Sequence, residues 1–239
     1  MSNLLNITDL NKSFSGFVSV KDVSFTVNKC NIVLITGENG AGKTTLFNLI
    51  TGLVKPSKGK ITFNGNNIVD KTALQISRLG IIRLYQQPRL FNNLMVWENL
   101  VSSAHNQKGN SFINLIFYAK EVKLEDRILK QKAIEFLIKF GLEDLNYKTA
   151  GELSYGQQKL ISFCMIAMNG TKLALLDEPF AGLNPQTIDK LSQMILQLRN
   201  EGLTFLIIEH NINKALEICD THLEMKNGYI HHINLTVRA

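Results

Sequence analysis

Cysteine is scarce in this sequence, and nothing in its placement suggests pairing. Three cysteines occur among 239 residues, at Cys30, Cys164 and Cys219, and none belongs to a Cys-x-x-Cys motif. An odd number of widely separated cysteines argues against a disulfide framework and against a zinc site. The cysteine usage therefore favours a reducing cytoplasm.

Long hydrophobic runs are absent as well. No apolar stretch approaches the roughly 18 residues that a membrane-spanning helix requires, and we find no long linker, repeat or low-complexity tract. The segment Met1–Leu10 lacks the basic start and apolar stretch of a signal peptide, so we expect no cleaved leader. If the protein works at a membrane, other chains must supply the membrane spans.

The excess of basic over acidic residues is modest. There are 26 Lys and Arg against 20 Asp and Glu, a formal net charge of +6, and 45% of the residues are hydrophobic. A basic balance suits nucleic acid, an anionic membrane surface or a phosphate ligand, and it also occurs on ordinary soluble proteins. Because the basic residues form no dense cluster, we expect no nucleic-acid partner. The hydrophobic share is ample for a folded core.

Short apolar runs alternate with helical segments along most of the chain. Strands are predicted over Val18–Val27 (with a break near Lys21-Asp22), Ile32–Ile35, Lys60–Phe63, Ile81–Tyr85, Leu173–Leu176 and Thr204–Ile208. Helices are predicted over Lys43–Leu53, Thr187–Arg199 and Asn211–Cys219. Asn227-Gly228 between two apolar runs indicates a hairpin. This order predicts a parallel-sheet core with an antiparallel part.

The middle of the chain has a different pattern. We expect roughly residues 90–160 to form a mostly helical lobe inserted in the sheet domain. One helical face carries five apolar residues, namely Leu129, Ala133, Phe136, Leu137 and Phe140. Gly141 is placed to end that helix.

A glycine-rich motif connects the Ile32–Ile35 strand to the helix that follows it. The residues Gly37-Glu38-Asn39-Gly40-Ala41-Gly42-Lys43-Thr44 match G-x-x-x-x-G-K-[ST] in the strand–helix context of a P-loop. Converging backbone N–H groups and a helix N-terminus favour bound phosphate. Lys43 can place its ammonium between the β- and γ-phosphates, and the Thr44 hydroxyl can ligate Mg²⁺. We count Thr45, the next residue, with the nucleotide-binding set.

Two acids follow the buried strand Leu173–Leu176. The carboxyl end of such a strand is where open α/β sheets bind ligands. We predict that Asp177 holds Mg²⁺, directly or through water, and that Glu178 polarises the attacking water. An ordinary acidic turn is the alternative, and the presence of a P-loop favours the catalytic interpretation.

A further motif, Leu153-Ser154-Tyr155-Gly156-Gln157-Gln158, precedes this strand. A Ser and a Gly at a helix N-terminus form a second anion-binding cradle. The motif resembles the Leu-Ser-Gly-Gly-Gln signature of the ATP-binding cassette (ABC) family, with Tyr155 in place of the first Gly. The resemblance implies that Ser154, Gly156 and Gln157 close on the γ-phosphate bound by a second subunit.

Other positions match the same family. Gln86 resembles its loop glutamine, which senses Mg²⁺ and the membrane partner, and His210 resembles its switch histidine, which contacts the γ-phosphate. Ala181–Asn184 resembles the dimer-contact loop, usually Ser-Ala-Leu-Asp, so Asn184 puts a charge-based role in doubt. The family stacks an aromatic ring on adenine; Phe14 lies at that place, and Phe17 is the alternative.

The resemblance implies a single domain over residues 1–239. Its fold is α/β, a P-loop NTPase core with a mixed sheet, an antiparallel β part and an inserted helical lobe. The expected function is ATP hydrolysis, with Mg²⁺, that energises transport at the cytoplasmic face of the inner membrane. The expected partners are transmembrane permease subunits and a second ATPase subunit, either a second copy or a paralogue.

Within the family, four stretches point to a subgroup: Pro88–Phe91, Gly151-Glu152, Leu-Ser-Tyr-Gly-Gln-Gln-Lys and Ala181–Pro185. Together they resemble branched-chain amino-acid and urea uptake cassettes, although lipopolysaccharide-export cassettes are similar. An Arg that usually occurs near Met165 is missing. DNA-repair types carry a long coiled coil, for which Gly37 to Ser154 leaves no room, and translation types carry two cassettes. A scaffold that does not hydrolyse ATP is disfavoured by the intact P-loop, acidic pair and histidine.

Overall fold

The computed structural model describes residues 2–104, 119–210 and 212–233. Its strands are β1 (Asn3–Phe14), β2 (Phe17–Asn28), β3 (Ile32–Thr36), β4 (Lys58–Phe63), β5 (Asn66–Asn67), β6 (Ile81–Leu84), β7 (Leu173–Asp177), β8 (Thr204–Ile208), β9 (Thr221–Lys226) and β10 (Tyr229–Ile233). Its helices are α1 (Lys43–Ile50), α2 (Ala73–Leu79), α3 (Val96–Ser102), α4 (Ala119–Lys139), α5 (Tyr155–Met168), α6 (Pro185–Asn200) and α7 (Ile212–Ile218). Two short 3-10 helices span Glu143–Leu145 and Ala150–Glu152.

The chain divides into two compact units. The first comprises residues 1–86, 172–181 and 188–239, and the second comprises residues 87–171 and 182–187. The helical lobe expected at about 90–160 falls within the second unit. That the whole chain acts as one domain stays a prediction.

The larger sheet of the first unit has six strands in the order β10-β9-β3-β8-β7-β6. Pairing is parallel from β9 across to β6, and β10 is antiparallel to β9. Strands β3 and β8 are buried along their whole length, as the central strands of a sheet covered on both faces must be. Asn227 and Gly228 form the predicted hairpin turn, with φ of 53° and 87°. The mixed sheet predicted from the sequence is confirmed.

A second, antiparallel sheet has the order β2-β1-β4-β5. Strand β1 was not predicted from the sequence. Asp9 (φ 46°) and two register shifts around Leu10 interrupt the alternation of inward and outward side chains along this strand. The break expected near Lys21-Asp22 is a local irregularity within a continuous β2, where Asp22 has φ 45°.

Both sheets share one apolar core with α1. Leu5, Ile7, Leu46, Phe47 and Ile61 are fully buried within it. Each such side chain contributes roughly 1.5–3 kcal/mol through burial. The core therefore anchors the start of α1, where the P-loop ends.

The second unit is helical, as predicted. On α4, Ala133 and Leu137 are buried, as is Phe140 just beyond the helix. Leu129 and Phe136, the other residues of the predicted face, are half-buried. The helix ends at Lys139, and Gly141 follows with φ 59°, a conformation that favours glycine.

Several helix boundaries differ from those predicted. Helix α1 ends at Ile50 rather than Leu53, because Gly52 takes φ 70° and leaves the helix. Helix α2, which ends at Leu79 and is followed by Gly80 with φ 102°, was not predicted. The predicted helix over Asn211–Cys219 is observed as Ile212–Ile218, and Asn211 lies outside the described residues. Within the three described ranges, none of the helices has the length and apolar character that a membrane crossing requires.

Candidate functional site

The glycine-rich loop runs from the end of β3 to the start of α1. Gly37, Gly40 and Gly42 all have positive φ, at 147°, 79° and 108°. A Cβ on Gly37 would lie 2.2 Å from the carbonyl oxygen of Met225, and one on Gly42 would lie 2.3 Å from that of Ser19. Glycine is therefore required at both positions by close backbone approach as well as by conformation.

Lys43 is folded over its own loop. Its Nζ donates to the carbonyl oxygens of Gly37, at 2.6 Å, and Glu38, at 2.8 Å. Burial lowers the pKa of Lys43, while the negative charges of Glu178 and Asp177 act against that shift. The ammonium is thus held by two carbonyl oxygens of its own loop, in a cavity that Asp177 and Glu178 also line.

An open cavity of about 270 Å³ lies beside the N-terminus of α1. It is lined by residues from the loop, α1, β2, and the ends of β7 and β8: Phe17, Ser19, Asn39, Gly40, Gly42, Lys43, Thr44, Thr45, Asp177, Glu178, Ile208 and His210. Most of the predicted P-loop residues and the acidic pair therefore meet at one place. Glu38 and Ala41 line a neighbouring cavity of about 160 Å³, and Gly37 contributes its carbonyl to Lys43.

Asp177 ends β7 and forms an ion pair with Arg83 of the adjacent strand β6. The guanidinium also donates to Asn48 Oδ1 on α1, at 2.7 Å. Both charged side chains are largely buried, with 6% of Arg83 and 16% of Asp177 exposed.

Glu178 follows with a left-handed backbone, at φ 48°. Its N–H donates to the carbonyl of Ile208, at 2.9 Å, which ties the turn to the end of β8. Gln86 Nε2 donates to one carboxylate oxygen at 2.9 Å, and His210 Nε2 lies 3.3 Å from the other. Of the three predicted catalytic residues, Glu178 is therefore in direct contact with both of the others.

The two aromatic candidates for adenine stacking occupy different positions. Phe14 and Phe17 pair across the β1–β2 turn, yet only Phe17 lines the 270 Å³ cavity. The Lys12 ammonium lies over the Phe14 ring, 4.9 Å from its centroid. Which ring stacks on adenine stays a prediction, and the geometry of the cavity favours the alternative, Phe17.

The signature residues lie in the second unit, at the start of α5. Ser154 caps this helix: its Oγ accepts from the N–H of Gln157 at 3.3 Å, and Gln157 Oε1 accepts from the Ser154 N–H at 3.0 Å. A Cβ on Gly156 would lie 3.3 Å from the Thr187 side chain. Asn184 Oδ1 accepts from the N–H of Thr187 at 2.9 Å, so the Asp-to-Asn departure keeps a hydrogen bond at the start of α6.

The first unit thus combines an ammonium, two carboxylates, an imidazole and three hydroxyls beside a helix N-terminus. Such a constellation suits a polyphosphate that is cleaved by water. A sequence profile described as "ABC transporter" matches residues 20–181 of the chain. The chain belongs to the ABC transporter family.

Named relatives of this ABC protein agree with that membership. A probable branched-chain amino acid transport ATP-binding protein, LivG of Methanocaldococcus jannaschii, is 36% identical over 227 residues, covering 95% of this chain and 88% of the relative. The high-affinity branched-chain amino acid transport ATP-binding protein BraF of Pseudomonas aeruginosa is 33% identical, and the match covers 94% of this chain and 89% of the relative.

Solved structures show the same fold. The ADP conformation of an ATP-binding cassette of an ABC transporter matches with a TM-score of 0.82 and 34% identity, covering 97% of this chain and 90% of the other. A nucleotide-free ATP-binding cassette from an ABC transporter matches with a TM-score of 0.81 and 35% identity. The chain is therefore an ATP-binding, ATP-hydrolysing subunit of a transporter, as its sequence predicted.

Sequence reasoning missed two charged residues of the ABC ATPase site. One is Arg83, the partner of Asp177. The other is Glu209, which is 2% exposed and accepts backbone hydrogen bonds from Phe180 at 2.7 Å and His210 at 3.0 Å. The available signal was a charge inside an apolar strand for Arg83, and an acid directly after a buried strand for Glu209.

Proposed function

We propose that this ABC ATPase energises the uptake of branched-chain amino acids or chemically related solutes. The observation that carries the proposal is the similarity to relatives named for that transport, which extends over 94–95% of the chain. In this role the chain sits peripherally at the cytoplasmic face of the inner membrane and acts on transmembrane permease subunits. Export of the lipopolysaccharide type is the second candidate, on the similarity of its motifs.

Each residue of the nucleotide site has a proposed role. Gly37 to Thr45 cradle the phosphates through backbone N–H groups, and Lys43 leaves its loop carbonyls to contact the β- and γ-phosphates. Phe17 or Phe14 stacks on adenine.

The oxygen donors around the cavity fit Mg²⁺. The Thr44 hydroxyl and the Asp177 carboxylate both line it, Gln86 reaches the adjoining Glu178, and oxygen is the donor that Mg²⁺ prefers. When bound, the cation neutralises charge on the phosphate oxygens. Thr44, Asp177 and Gln86 would hold it there.

Glu178 is the proposed general base. It takes a proton from the attacking water, and its contacts with Gln86 and His210 hold the carboxylate at the cavity wall. His210, which lines the same cavity, contacts the γ-phosphate.

Hydrolysis requires two subunits in this proposal. Ser154, Gly156 and Gln157 of one subunit close on the nucleotide held by the P-loop of the other. The N-terminus of α5 favours the γ-phosphate charge, and the bound ATP stabilises the closed pair because it binds that state best.

Two substitutions test the site. Glu178→Gln is expected to lower ATP hydrolysis by about 10² or more while a fluorescent ATP analogue still binds, because Lys43, Thr44 and Asp177 remain. Lys43→Ala is expected to weaken binding itself. Glu143→Gln, an exposed residue of the second unit, is the charge-matched control. Hydrolysis at the unmodified rate by Glu178→Gln would refute the catalytic assignment.

The cargo needs a separate test. The chain is co-expressed with multi-span proteins encoded beside its gene, and uptake of labelled leucine, isoleucine and valine is measured in vesicles. We expect uptake that depends on ATP and stops with Glu178→Gln. If the membrane partners move only lipid-linked sugars, the result would favour lipopolysaccharide-type export over amino-acid uptake.

A further inference from the structure

Arg83 is a buried cation at the nucleotide site to which the assignments above give no role. It lies on β6, a strand of otherwise apolar residues, and only 6% of its side chain is exposed. Burying a guanidinium is costly unless its charge is paired and its N–H groups are hydrogen-bonded. Its contacts therefore indicate what the residue is for.

The guanidinium joins three parts of the site. It pairs with Asp177 at the end of β7 and donates to Asn48 on α1, the helix that starts at the P-loop. Its central carbon lies 5.5 Å from the ring centroid of Phe47 and 4.8 Å from that of Tyr85. The two rings restrict the orientation of the planar guanidinium, so that its N–H groups point towards Asp177.

The ion pair between Arg83 and Asp177 is not explained by a structural role alone, because Asp177 belongs to the nucleotide site. Asp177 lines the phosphate cavity and is the proposed metal ligand. Without a counter-charge, the paired acids Asp177 and Glu178 would repel an incoming triphosphate at close range. Lys43 lines the same cavity as both acids, and one ammonium cannot neutralise two carboxylates and also bind phosphate.

We propose that Arg83 is a positioning residue that acts as the built-in counter-ion of Asp177. It holds the carboxylate in place and neutralises it until Asp177 takes up a magnesium ion. Arg83 thereby favours the binding of metal-free nucleotide and competes with the cation for Asp177. This inference rests on the proposed assignment of Asp177 as a metal ligand.

The test separates nucleotide affinity from magnesium affinity in the full-length chain. A fluorescent ATP analogue is titrated in the presence of EDTA, and Mg²⁺ is then titrated at fixed nucleotide. For Arg83→Met we expect metal-free affinity to fall by about tenfold, the scale of one uncompensated charge near the bound triphosphate. The Mg²⁺ concentration at half-maximal effect should fall as well, because the competing cation is gone.

Three further variants complete the design. Arg83→Lys keeps the charge and should retain most of the metal-free affinity. Arg83→Gln, which is neutral but can still donate to Asn48, replaces the Met variant if that variant does not fold. Arg78→Met removes an exposed arginine from α2 and controls for net charge.

The double variant Arg83→Met with Asp177→Asn decides whether Asp177 carries the effect. Relative to Asp177→Asn alone, it should shift the Mg²⁺ dependence less than Arg83→Met shifts that of the unmodified chain, because the carboxylate for which Arg83 and Mg²⁺ compete is gone. Equal weakening with and without Mg²⁺, or unchanged values in Arg83→Met, would overturn the counter-ion role. If the unmodified chain binds the analogue but ignores Mg²⁺, the assignment of Asp177 as a metal ligand fails instead.

Discussion

Glu178 adopts a backbone conformation that few non-glycine residues take. Its φ of 48° lies in the left-handed region, which costs of order 1–3 kcal/mol and persists only where surrounding contacts enforce it. Those contacts are the hydrogen bond to Ile208 and the side-chain contacts with Gln86 and His210. The position of the proposed base is thus imposed by two other segments, at Gln86 and at Ile208 to His210, rather than by its own preference.

Gly182 and Tyr155 both depart from the family pattern, and they lie next to each other in the structure. Gly182 has φ 73°, and a Cβ there would lie 3.2 Å from Tyr155 Cε1. We therefore expect Gly182→Ala to lower the free energy of unfolding by about 1–3 kcal/mol, through backbone strain and displacement of the ring. Chemical denaturation measures the change.

Two controls separate these causes. Gly170 has φ 67° with nothing within 4 Å of an added Cβ, so Gly170→Ala reports the backbone part alone. In a Tyr155→Ala background, Gly182→Ala should cost no more than Gly170→Ala. If Gly182→Ala and Gly170→Ala are equally destabilising in the unmodified chain, the ring has no part in the effect.

At the scale of elements, the ends of the strands determine what each side chain can reach. Strand β6 leads directly into Gln86, and the chain passes from the first compact unit to the second after that residue. Gln86 also donates a hydrogen bond to Glu178. We therefore propose a coupling role for Gln86, in which it links the Mg²⁺ and membrane-partner sensing implied by the family resemblance to hydrolysis.

We expect Gln86→Ala to leave ATP binding nearly intact, because the P-loop, Lys43 and Asp177 remain. Hydrolysis stimulated by the membrane partners should fall, since Glu178 loses a hydrogen bond and the junction loses its contact. Binding of the fluorescent analogue and partner-stimulated ATPase are measured side by side. A variant that no longer binds nucleotide would contradict the coupling role.

The pairing of β9 with β3 carries a pH-dependent contact. His222 Nε2 lies 2.8 Å from Thr36 Oγ1, and burial lowers the pKa of His222 below its usual 6.5, against an opposing effect of Glu224. The unfolded chain therefore binds the proton more tightly than the folded chain. The stability that this histidine contributes is present above pH 6.5 and is lost as the pH falls through the folded-state pKa.

His222→Gln should flatten the fall of Tm between about pH 7 and pH 5. Thermal unfolding followed by circular dichroism across that range provides the measurement. His231→Gln, on the exposed neighbouring strand β10, is the matched control and should leave the slope unchanged. An unchanged slope in the His222 variant would show that protonation of this ring does not contribute to the pH dependence of stability.

For the whole molecule, the proposed mechanism assigns the two sets of motifs to opposite sides of a site that two subunits share. The P-loop and acidic pair belong to the first compact unit, and the signature belongs to the second. Under the proposed mechanism each nucleotide is shared between two chains. Assembly should therefore depend on ATP rather than on a permanent interface.

We expect Glu178→Gln to shift from monomer to dimer on addition of Mg-ATP, because uncleaved ATP keeps the closed state populated. Ser154→Arg in the same chain should abolish the shift by filling the signature cradle. Size-exclusion chromatography with and without Mg-ATP measures both. Ser57→Arg, at an exposed serine of the first unit, controls for the added charge, and Tm values check for the lost helix cap, worth about 1 kcal/mol. A dimer that ignores both ATP and the Ser154 change would rule out the shared site.

The sequence alone determined the features that depend on neighbouring residues. The P-loop, the buried strands β3, β7 and β8, the hairpin at Asn227-Gly228 and the start of α5 were all predicted, because short patterns of glycine, apolar runs and capping residues dictate local backbone geometry. The positions of Asp177 and Glu178 at a strand end followed from the same local rule.

Only the tertiary structure decided which distant residues meet. Arg83 and Asp177 are 94 positions apart in the chain, and they touch because the sheet order places β6 beside β7. The tertiary structure also brings Glu209 to the backbone N–H of Phe180. It likewise places Phe17, rather than Phe14, in the wall of the cavity. Strand order follows from how the whole core is buried, and no local pattern encodes it.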